Sequence, residues 1–224
     1  MNEHARYLVA LETAKTVAAD LMASLPAAVD PAMLTLKSKL PFTALSIREV
    51  LFHRVAHLAT AAVKLYDTQD FLGGIIITRS IFETVALAFA VERALNRFAR
   101  LRNKEALHKY FMQVLLAKGA PDAKYKAMDV TGLVDSLDKK APGFRETYNA
   151  FSECVHPNWS GTYGTFARHD PDTLIVHLGV SVDSTTWGAG IDALIGSLIE
   201  FQRIYRALPP LITEMNSYFE RNDA

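Results

Sequence analysis

One stretch limits the possible folds more than any other: IIITRSIFETVALAFAV, residues 75–91. Its apolar residues cover most of a helix's circumference, and a helix of that kind has to be wrapped by others. The run therefore predicts a central, buried helix from about 70 to 99, with Asp70 as its cap. Arg79 and Glu83 sit in its middle. Each would cost about 2.5–3.5 kcal/mol at a bilayer centre on insertion scales. They also break the only candidate for a charge-free span of about 18 residues. In a protein core a charge has to be paired and hydrogen-bonded. Four residues apart on a helix, the two share a face. They read either as a polar pin holding the central helix to its neighbours or as part of a functional cluster.

Helical periodicity governs the rest of the chain. A first helix spans 3–25 and stops at Pro26. Residues 26–43, with Pro26, Pro31 and Pro41, read as a connection containing a short helical turn. Ser46 caps a helix over 46–67. Further helices are expected over 103–118, ending at Gly119, from Asp129 or Thr131 to near Lys140, and over 142–156, ending before Pro157. Pro209-Pro210 is expected to divide a helix over 187–206 from another over 208–221. Between these lies a change of texture. GTYGTFAR and TLIVHLGV read as short strands around the turn signal HDPD, a small hairpin near 162–180. With no internal repeat and no linker, the expectation is a single domain over 1–224: a mainly α helical bundle with an inserted hairpin.

The 24 basic and 24 acidic residues cancel. Polyanion binding would have to come from a local patch. The lone cysteine, Cys154, has no intramolecular partner, which fits a reducing cytoplasm. The N-terminal MNEHARYLVALETAK is amphipathic, with charges throughout and no signal-peptide pattern. A soluble cytoplasmic protein without a membrane span is expected.

The densest polar constellation is RETYNAFSECVHPNWSG. Phe144, Tyr148, Phe151 and Val155 form an apolar stripe, and Arg145, Asn149, Ser152 and His156 a polar one. Ser152 and His156 are one turn apart. The helix then stops, and Asn158, Trp159 and Ser160 follow. A histidine on a last turn is favoured by the helix dipole in its protonated form. It is an ordinary helix cap or a general acid/base. His53 and His57, with Glu49 a turn earlier, have metal-ligand spacing but lack a further ligand. Glu105 and His108 are a single Glu-x-x-His unit, and a di-iron bundle needs two plus further carboxylates. Gly73-Gly74 has no phosphate-loop context and reads as an allowance for close helix packing. Nucleophile-elbow, phosphate-loop and dinucleotide motifs do not occur. No metal and no cofactor is expected. The segment ERALNRFARLRNKEALHK sets Arg93, Arg97, Arg100, Arg102, Lys104 and Lys109 against Glu92 and Glu105. It is a solvated helix corner or, over 93–109, an electrostatic footprint for RNA.

Arg79-x-x-x-Glu83 in an apolar helix, followed downstream by an aromatic helix ending Ser152-x-x-x-His156-Pro157, resembles a family of uncharacterised bacterial helical proteins near the HEPN superfamily (higher eukaryotes and prokaryotes nucleotide-binding). The resemblance covers residues 45–160. It implies a helical bundle, a homo-oligomer, and a metal-independent ribonuclease of a bacterial defence or toxin system; other HEPN proteins are non-catalytic. The superfamily's usual motif is Arg, four to six residues, then His near a helix end. His156 takes the histidine's place, but the nearest upstream arginine, Arg145, is roughly 16 Å away along a helix. Arg79 would have to stand in from the central helix. In that reading His156 is the acid/base and Arg79 stabilises phosphate charge. Glu83 orients one of them, and Ser152, Asn158, Arg145 and Asn149 position substrate. The alternative is a non-catalytic module binding a protein or small ligand, with the polar cluster structural.

Overall fold

The structure, a computed structural model, describes residues 2–117, 124–179 and 184–222, with the backbone alone for 184–187. It is mainly α, with a small antiparallel hairpin. The helices are α1 Glu3–Ala23, α2 Leu40–Asp67, α3 Phe71–Leu101, α4 Lys104–Leu116, α5 Val130–Asp138, α6 Phe144–Val155, the single turn α7 Tyr163–Phe166, and α8 Ser184–Arg221. The strands are β1 Ala167–His169 and β2 Val176–Leu178, and a 3-10 turn, Pro31–Met33, precedes α2. Gly119 and Val180, the expected ends of the fourth helix and of the hairpin, lie outside the described residues.

The chain divides into two compact units, each discontinuous in sequence. The first comprises Met1–Ser24, Val55–Phe82 and Ala141–Ile199; the second comprises Leu25–Arg54, Glu83–Lys140 and Glu200–Ala224.

The first unit is organised around Tyr66 of α2, whose side chain is fully buried. A Cβ on Gly74 of α3 would lie 2.7 Å from the Tyr66 ring, and one on Gly190 of α8 2.7 Å from its hydroxyl. Gly74 and Gly190 thus let two helices close on one aromatic side chain; of Gly73-Gly74, the expected packing role falls to Gly74, while a Cβ on Gly73 would lie nearest the Asp70 side chain. The Tyr66 hydroxyl is 3.2 Å from Thr78 Oγ1, and the Tyr7 hydroxyl of α1 donates to the Tyr66 carbonyl at 2.7 Å. Burial pushes the Tyr66 phenol far above the usual tyrosine range. Phe82 of α3 stacks on Phe144 at 4.3 Å and meets Phe151 edge-on, so α6 buries its aromatic stripe against α3. The hairpin pairs Ala167 with Leu178, Arg168 with His177 and His169 with Val176. It falls inside the expected interval, but GTYGTF does not extend β1, because residues 163–166 form a helical turn instead.

The second unit has an aromatic core. Phe98 of α3 stacks on Phe219 at 5.8 Å and meets Tyr218 edge-on at 5.5 Å, while Phe52 packs against Phe201 and Tyr205. Two boundaries differ from expectation here. α2 starts at Leu40, which puts Ser46 inside the helix. Pro41 falls in the first turn, where a missing N–H breaks no hydrogen bond. α8 runs unbroken through Pro209-Pro210. Pro209 cannot donate to the Tyr205 carbonyl four residues back. Arg48 Nε donates to that carbonyl instead, at 3.4 Å. The same Arg48 lies over the Tyr205 ring at 3.6 Å and pairs with Glu49, which accepts from the Tyr205 hydroxyl at 2.7 Å. A helical break that proline imposes elsewhere is here answered from a neighbouring helix.

α3 passes through both units. It is long and apolar enough to cross a membrane, with a mean hydropathy of 1.7 over its most apolar window, and 61% of that window is buried in the protein. That burial is what a core helix shows.

Candidate functional site

In the first unit Arg79 does not rest among apolar groups. Its Nε donates to Ser152 Oγ at 2.9 Å, its Nη2 donates to the Tyr148 hydroxyl at 2.8 Å, and its guanidinium lies 4.8 Å from the Tyr148 ring centroid. Both partners stand on α6, four residues apart and hence on one face. Ser152 Oγ also donates to the Tyr148 carbonyl at 2.8 Å. A hydroxyl has one proton, and this one is committed to the helix backbone. Nothing in the arrangement draws that proton off to make the serine a nucleophile.

His156 is placed apart from this cluster. It is the C-cap of α6, with an extended ψ of 142°, and its backbone N–H bonds to the Ser152 carbonyl at 3.1 Å. The ring is exposed and has no hydrogen-bond partner among the described residues. The extended backbone turns the chain away from the helix face that meets α3. Ser152 joins Arg79, then, while the imidazole does not. Asn158 organises the following loop: its amide donates to Glu153 at 2.6 Å and its oxygen accepts from the Gly161 N–H at 3.1 Å. Arg145 donates to Asn149 at 2.9 Å along the exposed side of α6. Glu83, half-buried, lies on the part of α3 that belongs to the second unit. Cys154 is half-buried, and burial, with Glu153 beside it, raises its thiol above the ordinary range. Sequence reasoning gave Tyr148 no functional part. It sits on the apolar stripe, and only its phenolic oxygen, an i−4 neighbour of Ser152, could have signalled one.

The metal-like spacings resolve otherwise. His53 Nε2 lies 2.9 Å from the Pro26 carbonyl, and Glu49 serves Arg48 and Tyr205. Among the described residues no group of three or more His, Cys, Asp or Glu could hold a metal ion.

The second unit carries the other candidate. A cavity of about 430 Å³ is lined by α3, α4 and Leu133 of α5. Its α3 wall presents Arg93, Arg97 and Arg100, at i, i+4 and i+7, one stripe of the helix. No Asp or Glu lines it. Arg93 donates to the neutral Ser136 hydroxyl. Arg97 and Arg100 are exposed and have no ion-pair partner among the described residues. Phe98, Leu107 and Leu133 supply apolar walls. The Tyr110 hydroxyl is buried there with no hydrogen-bond partner among the described residues. Burial drives its phenol well above the usual range, opposed by the charge of Arg93. The stripe was visible in sequence as charge. The cavity was not, since it needs α4 and α5 laid beside α3.

In its fold the chain is a mainly α protein with a cationic, partly apolar cavity. Compared with known protein families, with curated proteins and with solved structures, it finds no match.

Proposed function

We propose that this protein is a non-catalytic RNA-binding module, with its binding face on the arginine stripe of α3 in the second unit. The observation that carries this is the stripe itself: Arg93, Arg97 and Arg100 line one cavity that no carboxylate enters. Like charges held together without counter-charge attract a polyanion and gain by releasing its condensed counterions. In a chain of zero net charge such a stripe is a local choice. The non-catalytic half of the reading is supported by the first unit. A ribonuclease needs an acid/base and a cation facing one phosphate. Arg79 is occupied by Tyr148 and Ser152, and the His156 ring is bonded to neither. The resemblance to the HEPN neighbourhood then fits its non-catalytic members.

The test is fluorescence anisotropy with a labelled single-stranded RNA in excess EDTA, the RNA being run on a gel afterwards. Binding with the RNA intact is expected, weakened at least tenfold in the Arg97→Ala/Arg100→Ala double variant. Binding unchanged in that variant would overturn the assignment of the face. Cleavage that persists in EDTA and disappears in His156→Ala would establish the ribonuclease instead.

A further inference from the structure

A second cavity, of about 530 Å³, lies on the other flank of α4. Lys39, Lys104 and His108 line it, with Glu105 as its one carboxylate and Phe219 as an apolar wall. At about 100° per residue, α4 can be read as a wheel. Leu107 and Phe111 are buried and define its inner side. Asn103, Ala106 and Tyr110 fall to one side of that direction and line the arginine cavity; Lys104, His108 and Met112 fall to the other and line the second cavity. Lys109 points almost directly opposite the buried pair. It is exposed and has no ion-pair partner among the described residues. The result is a cationic path from Arg97 and Arg100, over a ridge carrying Lys109, to Lys39 and Lys104 beside the His108 ring.

Resting on the RNA-binding reading, we infer that a single RNA strand drapes across α4, with a phosphate-bearing end in each cavity and Lys109 on the phosphate between them. The ridge is as wide as a helix with its side chains, about 10–12 Å. Placing one phosphate in each cavity and one on Lys109 takes three internucleotide phosphates, hence a strand of about four nucleotides, which a dinucleotide with its single such phosphate cannot supply. A duplex cannot follow this path. Double-stranded DNA, with a persistence length of about 50 nm, sets the scale of that stiffness, whereas the path bends within the width of one helix. Neither cavity has room for two paired strands.

Affinity is the readout, measured on the intact protein with labelled oligouridylates of two, four, six and twelve nucleotides and a twelve-base-pair RNA duplex. The expected result is a steep rise from two to about four nucleotides, a plateau beyond, and duplex binding at least tenfold weaker. Lys109→Ala, an exposed residue whose loss leaves the fold intact, is expected to weaken the hexamer several-fold, make its salt slope shallower by about 0.7, and leave the dinucleotide unchanged. Equal affinity for dinucleotide and hexamer, with Lys109→Ala inert, would overturn the drape and leave a small-anion site at the arginines. Arg97→Ala/Arg100→Ala binding every oligomer as the wild type does would sink the underlying reading, and the drape with it.

Discussion

Arg79 shows how a charge in an apolar helix is tied to a neighbouring helix. On α6 it meets a phenol, a hydroxyl and an aromatic face. Hydrogen bonds of this kind are what a half-buried cation needs to offset its desolvation. Tyr148→Phe keeps the ring and removes an acceptor from Arg79. It is expected to cost about 1–3 kcal/mol in chemical denaturation. His156→Ala should leave stability within about 0.5 kcal/mol, since its exposed ring supports nothing. A large loss in His156→Ala, with none in Tyr148→Phe, would reverse the roles of the two residues. Arg79 and Ser152 could be singled out in sequence because polar residues inside apolar periodicity stand out. Tyr148 could not, because a phenol counts as apolar until a partner for its oxygen is known. The joining of His156 to the pair was expected from helical spacing, which stops applying where the backbone becomes extended at the helix end.

Among the elements, most helices follow from apolar spacing and caps: Asn2, Asn103 and Asp70 each accept a hydrogen bond from the first turn of the helix they open. The two boundaries misplaced in the second unit both involve proline. Pro41 sits where proline is harmless, and the carbonyl released by Pro209 is taken up by Arg48, a residue more than 150 positions away. Local rules cannot see such a donor. Arg48→Met should therefore be costly, about 3 kcal/mol in denaturant unfolding, by stranding the buried Glu49 carboxylate. A neutral result would show that α8 tolerates its prolines unaided. The hairpin has its own control. The Asp170 carboxylate is bonded by the Thr173 hydroxyl and by the N–H groups of Asp172 and Thr173, which hold it below the usual carboxylate range. A lowered folded value means its contribution is complete above the ordinary aspartate range and fades only as pH falls through that lower value. Amide shifts across residues 167–178, followed by NMR as the solution is acidified, should move with a midpoint below that of free aspartate, and Asp170→Asn should abolish the transition. A midpoint at or above the free value would contradict this.

For the chain as a whole, charge balance conceals a local asymmetry. Equal numbers of acids and bases suggest an indifferent surface, yet the second unit gathers arginines on one cavity wall and leaves the acids elsewhere. The basic segment could be read from sequence as a choice between a solvated corner and a polyanion footprint. What favours the footprint is spatial: a cavity behind the arginines, apolar walls, and no carboxylate within it. In the proposed function these arginines neutralise RNA phosphates. The most direct test of this is the slope of log K against log salt for a short single-stranded RNA, wild type beside Arg97→Ala/Arg100→Ala. Each phosphate contact on a single strand contributes about −0.7 to that slope. Removing two arginines is expected to make it shallower by about 1.4, with weaker binding throughout. An identical slope in both proteins would mean that the RNA, if bound at all, is held elsewhere.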